Sequence, residues 1–216
     1  MALDWGMGLS FFVTLFSVLN PVHAVPLYLA MVGTPTPKTS RRVATVASLT
    51  VLIALLMALL AGERLLAVFG ITIFAFQVGG GVLILMMALS MLQGQVSPAK
   101  STPEEAEEAA HWNSIAVVPL GIPILAGAGS LSTVIVFAHH AHGWNQWLTL
   151  VLGIVVNSLL TYVLLAMSTR LYQWLGQTGV NVVSRLMGMI LVAMAVQFMA
   201  NGLGGLFPAL TIPRTI

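Results

Sequence analysis

From Ile115 to Thr169 the chain carries no formal charge, and the same is true from Trp5 to Pro37. Uninterrupted runs of this length constrain the fold more than any other feature. Charged residues make up 6% of the chain, against roughly 25% in a soluble domain, so a water-facing surface cannot be built. The alternative solvent is lipid, where each helical span needs about 20 apolar residues. With 216 residues, a hydrophobic content of 58% and a mean hydropathy of +0.99, the chain has room for about six spans. The expected fold class is an all-α integral membrane protein with six transmembrane helices. The net charge of +2 excludes a nucleic-acid groove. The lack of cysteine excludes disulfides, thiol catalysis and thiolate metal sites.

The sparse charges mark where the spans end. A first helix is predicted at about Met7 to Met31. Met1-Ala2-Leu3-Asp4 lacks the basic region of a removable signal peptide, so this segment is expected to stay as a span. Pro35 and Pro37 are expected to stop it. A second helix is predicted from Val43 to Ala61, with Gly62-Glu63-Arg64 at its end, and a third from Ile73 to Leu92. The polar stretch from Gln93 to Asn113 holds Glu104, Glu105, Glu107 and Glu108 and reads as a solvated linker. Thr102-Pro103-Glu104-Glu105 within it has the pattern of a helix start. Two further helices are predicted at about 115–138 and 146–168, and a last one from Val183 to Phe207. Trp5, Trp112, Trp144, Trp147 and Trp174 fall near predicted helix ends, where an aromatic belt belongs. The resulting division is a first three-helix unit at 1–92, a linker at 93–113 and a second three-helix unit at 114–216.

Lys38, Arg41, Arg42, Lys100, Arg170 and Arg185 fall in loops on one side of this arrangement, and Arg64 and Arg214 on the other. The richer side is expected to be cytoplasmic, which puts both termini outside. The two units also resemble one another. Asn20-Pro21-Val22-His23-Ala24-Val25-Pro26 in the first helix corresponds to Pro119-Leu120-Gly121-Ile122-Pro123 in the fourth. Placing Gly81 on Gly188 also sets Met87-Ala88 on Met194-Ala195. Equivalent helices of three-span units cross in opposite directions, so the expectation is an inverted repeat with broken first and fourth helices.

The chemistry is expected at those breaks. Each proline removes a backbone donor and disturbs the carbonyl one turn back. Polar backbone freed at membrane depth is tolerated only against protein or a cavity. The fourth helix continues as Ala126-Gly127-Ala128-Gly129-Ser130-Leu131-Ser132-Thr133. A helix restarting there would offer free amides and a positive dipole end to a carboxylate. The candidate substrate-binding residues are therefore Asn20, Pro21, His23, Pro26, Pro119, Pro123, Gly127, Gly129, Ser130 and Thr133. Gln77, Gly80, Gly81, Arg185, Gly188, Gln197 and Asn201 are expected to support them. Gln77, Asn157, Thr161, Gln197 and Asn201 also suit interhelical hydrogen bonds worth about 1 kcal/mol each. Arg185 is expected to open the sixth helix.

Asn20-Pro21-Val22, Pro26-Leu27, Gly79-Gly80-Gly81, Val118-Pro119-Leu120-Gly121-Ile122-Pro123, Ala126-Gly127-Ala128-Gly129, the run from Gly179 to Gly188, Gln197-Phe198 and Asn201-Gly202 appear in that order. Together they resemble the MarC family of bacterial inner-membrane proteins. The resemblance implies six spans, an inner-membrane location and transport of small neutral amino acids; in an inner membrane, the termini that the charge count puts outside are periplasmic. Three positions depart from the family pattern: His23 stands where Gly is frequent, Gln77 where Arg is frequent, and Ala128 where Pro is frequent.

No Asp or Glu lies within a predicted span, so a carboxylate relay has no residues to use and an uncharged solute is favoured. The leading function is secondary transport of a small neutral amino acid such as glycine or alanine. The alternative is a transporter or flippase for another small solute or a lipid-linked phosphate, with Arg185 at the phosphate. An enzyme is not expected, because Gly127-Ala128-Gly129-Ser130 lacks the nucleophile-elbow pattern and no acid orients a histidine. His139, His140 and His142 share a helix end with no carboxylate near them in sequence, and neither a metal nor another cofactor is expected. The expected partners are the solute and the bilayer. The oligomeric state is open.

Overall fold

In the computed structural model, which describes residues 5–32, 36–93 and 126–208, the regular structure is helical. The elements are α1 (Trp5–Leu19), α2 (Pro21–Val32), α3 (Pro37–Val68), α4 (Ile73–Leu92), α5 (Ala128–His139), α6 (Trp144–Ala166) and α7 (Ser168–Leu206). Among the described residues, Lys38–Val68, Ile73–Leu92, Trp144–Ala166 and Asn181–Leu206 are long and apolar enough to cross a membrane. Trp5–Leu19 and Ala128–His139 are shorter apolar helices. The protein is a helical, multi-pass integral membrane protein. Pro119, Pro123, Trp112 and the glutamates of the linker lie outside the described residues.

Local chemistry explains where the helix ends differ from the sequence expectation. The second helix is predicted at Val43–Ala61 but runs from Pro37 to Val68. Pro37 starts this helix rather than stopping the previous one, since the first helical residue has no use for its N–H. Thr36 caps it, its hydroxyl accepting from the Thr39 amide at 3.2 Å. Glu63 and Arg64 are good helix formers and do not end it. Gly70 does, with φ of 66°. Its amide reaches the Ala67 carbonyl at 3.1 Å, and the Ile71 amide reaches Leu66 at 3.0 Å, a glycine C-cap with both orphan carbonyls satisfied. Thr72 then caps α4 through the Ala75 amide.

The last helix also begins before its predicted start. α7 extends back to Ser168 with one non-helical residue, Gly176, at φ 63° and ψ 176°. Arg185 therefore lies inside α7 rather than opening it, and it is exposed.

α3 packs against α6, and α4 packs against α7 along most of its length. α1, α2 and α5 lie between these two pairs. One apolar core joins α1, α2, α3, α5 and α6 through Phe11, Leu15, Tyr28, Val51, Leu55, Val134 and Ile154. The second core is the α4–α7 seam, completed by Val18 of α1 and Val136 of α5. That seam is antiparallel and reciprocal. A Cβ on Gly81 would meet the Ala195 carbonyl and Met199, while a Cβ on Gly188 would meet the Ala88 carbonyl and Leu92. The register that sets Gly81 on Gly188 also sets Ala88 on Ala195 and Leu92 on Met199. The buried residues follow the same register: Gln77 with Ser184, Ile84 with Leu191, and Met91 with Phe198.

Candidate functional site

Asn20 is the joint between α1 and α2. It is the one non-glycine residue with positive φ among the described residues, at 43°. The cause is local: Pro21 bars its predecessor from ordinary helical geometry, and Asn tolerates the left-handed region better than other side chains. The Asn20 amide still closes α1 on Phe16 at 2.9 Å. Pro21 has no N–H, so the Ser17 carbonyl loses the donor that a continuous helix would supply. The Asn20 side chain is 4% exposed, and its Nδ2 donates to Met91 Sδ of α4 at 3.2 Å.

The position expected for the second break is the start of α5; the residues before Ala126 lie outside the described residues. The helix begins at Ala128, with Gly127 as its N-cap and no side chain capping the first amides. The expected restart among the glycines is thus present. The hydroxyls behave differently from the expectation that they would face a ligand. Ser130 donates back to the Gly127 carbonyl and Thr133 to the Gly129 carbonyl, each at 2.9 Å. Both side chains are buried. What this terminus offers is backbone amides.

Both breaks meet one face of α4. A Cβ on Gly80 would lie 2.6 Å from Cβ and Oγ of Ser132, so this glycine allows α5 to approach. A Cβ on Gly129 would meet Ile84 at 3.0 Å and Val18 at 3.1 Å. Asn20 contacts Met91. Gly80, Ile84 and Met91 are spaced four and seven residues apart, on one helical stripe. Along that stripe come α5, the α5 start with α1, and then the α1–α2 joint. Gln77 is buried one turn before Gly80 at 5% exposure.

Not every expected residue is gathered here. Gly81 and Gly188 belong to the α4–α7 seam. Gln197 and Asn201 are exposed on α7, where Gln197 Nε2 donates to Asn201 Oδ1 at 2.8 Å. Arg185 is exposed on the same helix. His23 and Pro26 lie in α2, and their side chains are outside the described residues. Asn157 does reach a second helix, its Nδ2 donating to Gly153 within α6 at 2.9 Å and to Phe12 of α1 at 3.5 Å. Thr161 bonds only back to Asn157.

Sequence reasoning misses the Met91 contact, the burial of Ser184 and an ion pair at the far end. His139 Nδ1 lies 2.8 Å from Glu63 Oε1. The carboxylate that the histidine cluster lacks in sequence is supplied by α3. Among the described residues no group of three His, Asp or Glu side chains is placed to hold a metal.

Comparison with known proteins covers almost the whole chain. The model of the MarC family integral membrane protein matches residues 5–207. The membrane protein YhcE of Escherichia coli (strain K12) is 34% identical over 207 residues, 96% of each chain. A membrane protein of Aquifex aeolicus (strain VF5) is 35% identical over 195 residues, 90% of this chain and 91% of its own. One of Methanocaldococcus jannaschii is 34% identical over 204 residues, 92% and 98% of the two chains. No solved structure matches.

Proposed function

The chain belongs to the MarC family, and from that premise we propose that it is a secondary transporter of small neutral amino acids, of the glycine or alanine type, in a bacterial inner membrane. The observation that carries this reading is the convergence of two helix breaks on one stripe of α4, in an interior whose described spans hold no buried acid.

A zwitterion needs a group for each end and no net countercharge. The uncapped amides at the start of α5 suit its carboxylate. The Ser17 carbonyl and the Asn20 side-chain oxygen suit its ammonium. Paired broken helices are the usual architecture of midplane sites in transporters.

The transport cycle we propose is alternating access between two inverted three-helix units. The reciprocal α4–α7 seam supports such a repeat, because contacts exchanged between Gly81 and Ala195 and between Gly188 and Ala88 are those of a local two-fold axis across antiparallel helices. Both termini are assigned to the periplasmic side by the excess of Lys and Arg at the opposite end. The solute and the bilayer are its partners, and no enzymatic step is assigned.

A lipid-linked phosphate is less well served, since Arg185 is exposed on α7 and takes no part in the stripe that joins the breaks.

The test is uptake of labelled glycine or alanine by the full chain reconstituted in vesicles, under imposed proton and sodium gradients and in counterflow. Uptake above empty vesicles is expected, and Arg185→Ala should leave it unchanged. Absence of uptake and counterflow under every condition would overturn the assignment.

A further inference from the structure

At the end of the bundle that carries Lys38, Arg41, Arg42 and Arg170, helices α3, α6 and α7 surround a cavity of about 510 Å³. Its polar lining is Ser40, Arg41, Tyr162, Thr169 and Arg170, and neither helix break contributes to it. The volume lies within the range of about 300–1,000 Å³ typical of small-molecule sites.

Two arginines, Arg41 and Arg170, line this space. The one carboxylate among the described residues, Glu63, is paired with His139 at the opposite end of α3. Like charges with no acid beside them among the described residues favour an anion between them. The planar guanidinium fork matches phosphate oxygens, and Ser40, Tyr162 and Thr169 add hydroxyl donors.

The remaining lining is apolar. Val163, Ala166 and Met167 complete the wall. Leu148, Leu152, Val155, Leu159, Val163 and Met167 are all exposed, at spacings of three and four that form one stripe down α6. The stripe ends at the cavity. A soluble anion has no use for such a track, but an acyl chain does.

We propose that this cavity holds the phosphate of an anionic phospholipid, with Arg41 and Arg170 on the phosphate oxygens and an acyl chain along α6. Basic cavities between spans at the cytoplasmic surface are suited to such headgroups. The lipid would tie the start of α3 to the α6–α7 junction from outside the helix breaks.

The purified full chain in neutral detergent is titrated with phosphatidylglycerol, with phosphatidylcholine of the same acyl chains, or with inorganic phosphate, and the rise in melting temperature gives an apparent Kd. Phosphatidylglycerol should stabilise at the lowest concentration. Arg41→Ala and Arg170→Ala should each weaken it about fivefold, and together roughly 25-fold, the effect of about one juxtamembrane charge apiece. Arg42→Ala removes the same charge from outside the lining and should change it less than twofold. The double Lys variant keeps the charge, so a lipid-free melting temperature equal to wild type shows that folding is intact. Wild-type affinity in the double Ala variant overturns the site. So does a loss at Arg42→Ala equal to that at Arg41→Ala. Equal stabilisation by inorganic phosphate overturns the lipid assignment in favour of a soluble anion.

Discussion

Gly79, Gly80 and Gly81 are identical in sequence and meet three different surroundings, which makes single alanine substitutions a sharp test of the packing. Alanine is favoured over glycine in a helix interior by about 0.8–1.0 kcal/mol. At Gly79 nothing lies within 4 Å of the added Cβ, so Gly79→Ala should stabilise by about 0.5–1 kcal/mol. At Gly80 the new methyl falls 2.6 Å from Ser132 Cβ, an atom fixed to the α5 backbone. At Gly81 it falls 2.6 Å from Met199 Cγ, 3.0 Å from the Ala195 carbonyl and 3.1 Å from the Met199 amide. The Met199 side chain can turn away, but the two α7 backbone atoms move only with their helix. Overpacking of this kind costs about 1–3 kcal/mol. After the propensity gain, Gly81→Ala should lose up to about 2 kcal/mol. Gly80→Ala should cost at least as much, because Ser132 Cβ moves only with the α5 backbone. The assay is reversible unfolding in mixed micelles, read by circular dichroism. A Gly79→Ala protein as unstable as Gly81→Ala would refute the rotational setting of α4, and with it the placement of both helix breaks on one stripe.

Two other substitutions test the joint and the far end. Asn20→Gly keeps the positive φ without strain and removes only the amide, whereas Asn20→Ala must also hold a left-handed residue. The alanine variant should therefore be about 1–2 kcal/mol less stable than the glycine variant in the same unfolding assay, and equal stabilities would contradict the strained geometry. The Glu63–His139 pair has side chains 59% and 36% exposed, so a double-mutant cycle should find a coupling below about 1 kcal/mol that fades with added salt. A larger, salt-insensitive coupling would mean that the pair is shielded from water.

The parts of the fold that can be read from the sequence are those set by local chemistry. Asn20-Pro21 forces a break wherever it stands, and Gly127-Ala128-Gly129 offers a start without a side-chain cap. Gly81 and Gly188 are also legible as points of close helix approach, because small residues recur where backbones approach closely. The misreadings share one cause. Proline is ambiguous between stopping one helix and starting the next, and Thr36 decides in favour of starting. Glu63 and Arg64 look like a loop because they are charged, yet charge at a membrane surface does not end a helix. Contacts that depend on the tertiary path have no local signal at all: Met91 against Asn20 and Glu63 against His139 join residues from separate helices, and Arg41 and Arg170 line one cavity from two helices.

The position of Gln77 ties the seam to the breaks. On α4, Gly80, Ile84 and Met91 form the stripe that meets α5 and α1, and Gly81, Ala88 and Leu92 form the neighbouring stripe that meets α7. With 3.6 residues per turn, Gln77 projects between the two, and it is buried. Ser184, its counterpart when Gly81 is aligned on Gly188, is buried as well, near the other end of the antiparallel seam. Any sliding of α4 along α7 in the proposed cycle would thus carry the faces of both helix breaks with it, through a seam whose closest backbone approaches are at Gly81, Gly188 and Gly202. A guanidinium at the position of Gln77 would place a full charge beside the breaks. Gln leaves dipoles alone. In an interior whose described spans hold no buried acid, the amide is compatible with the balanced charge of the proposed solute.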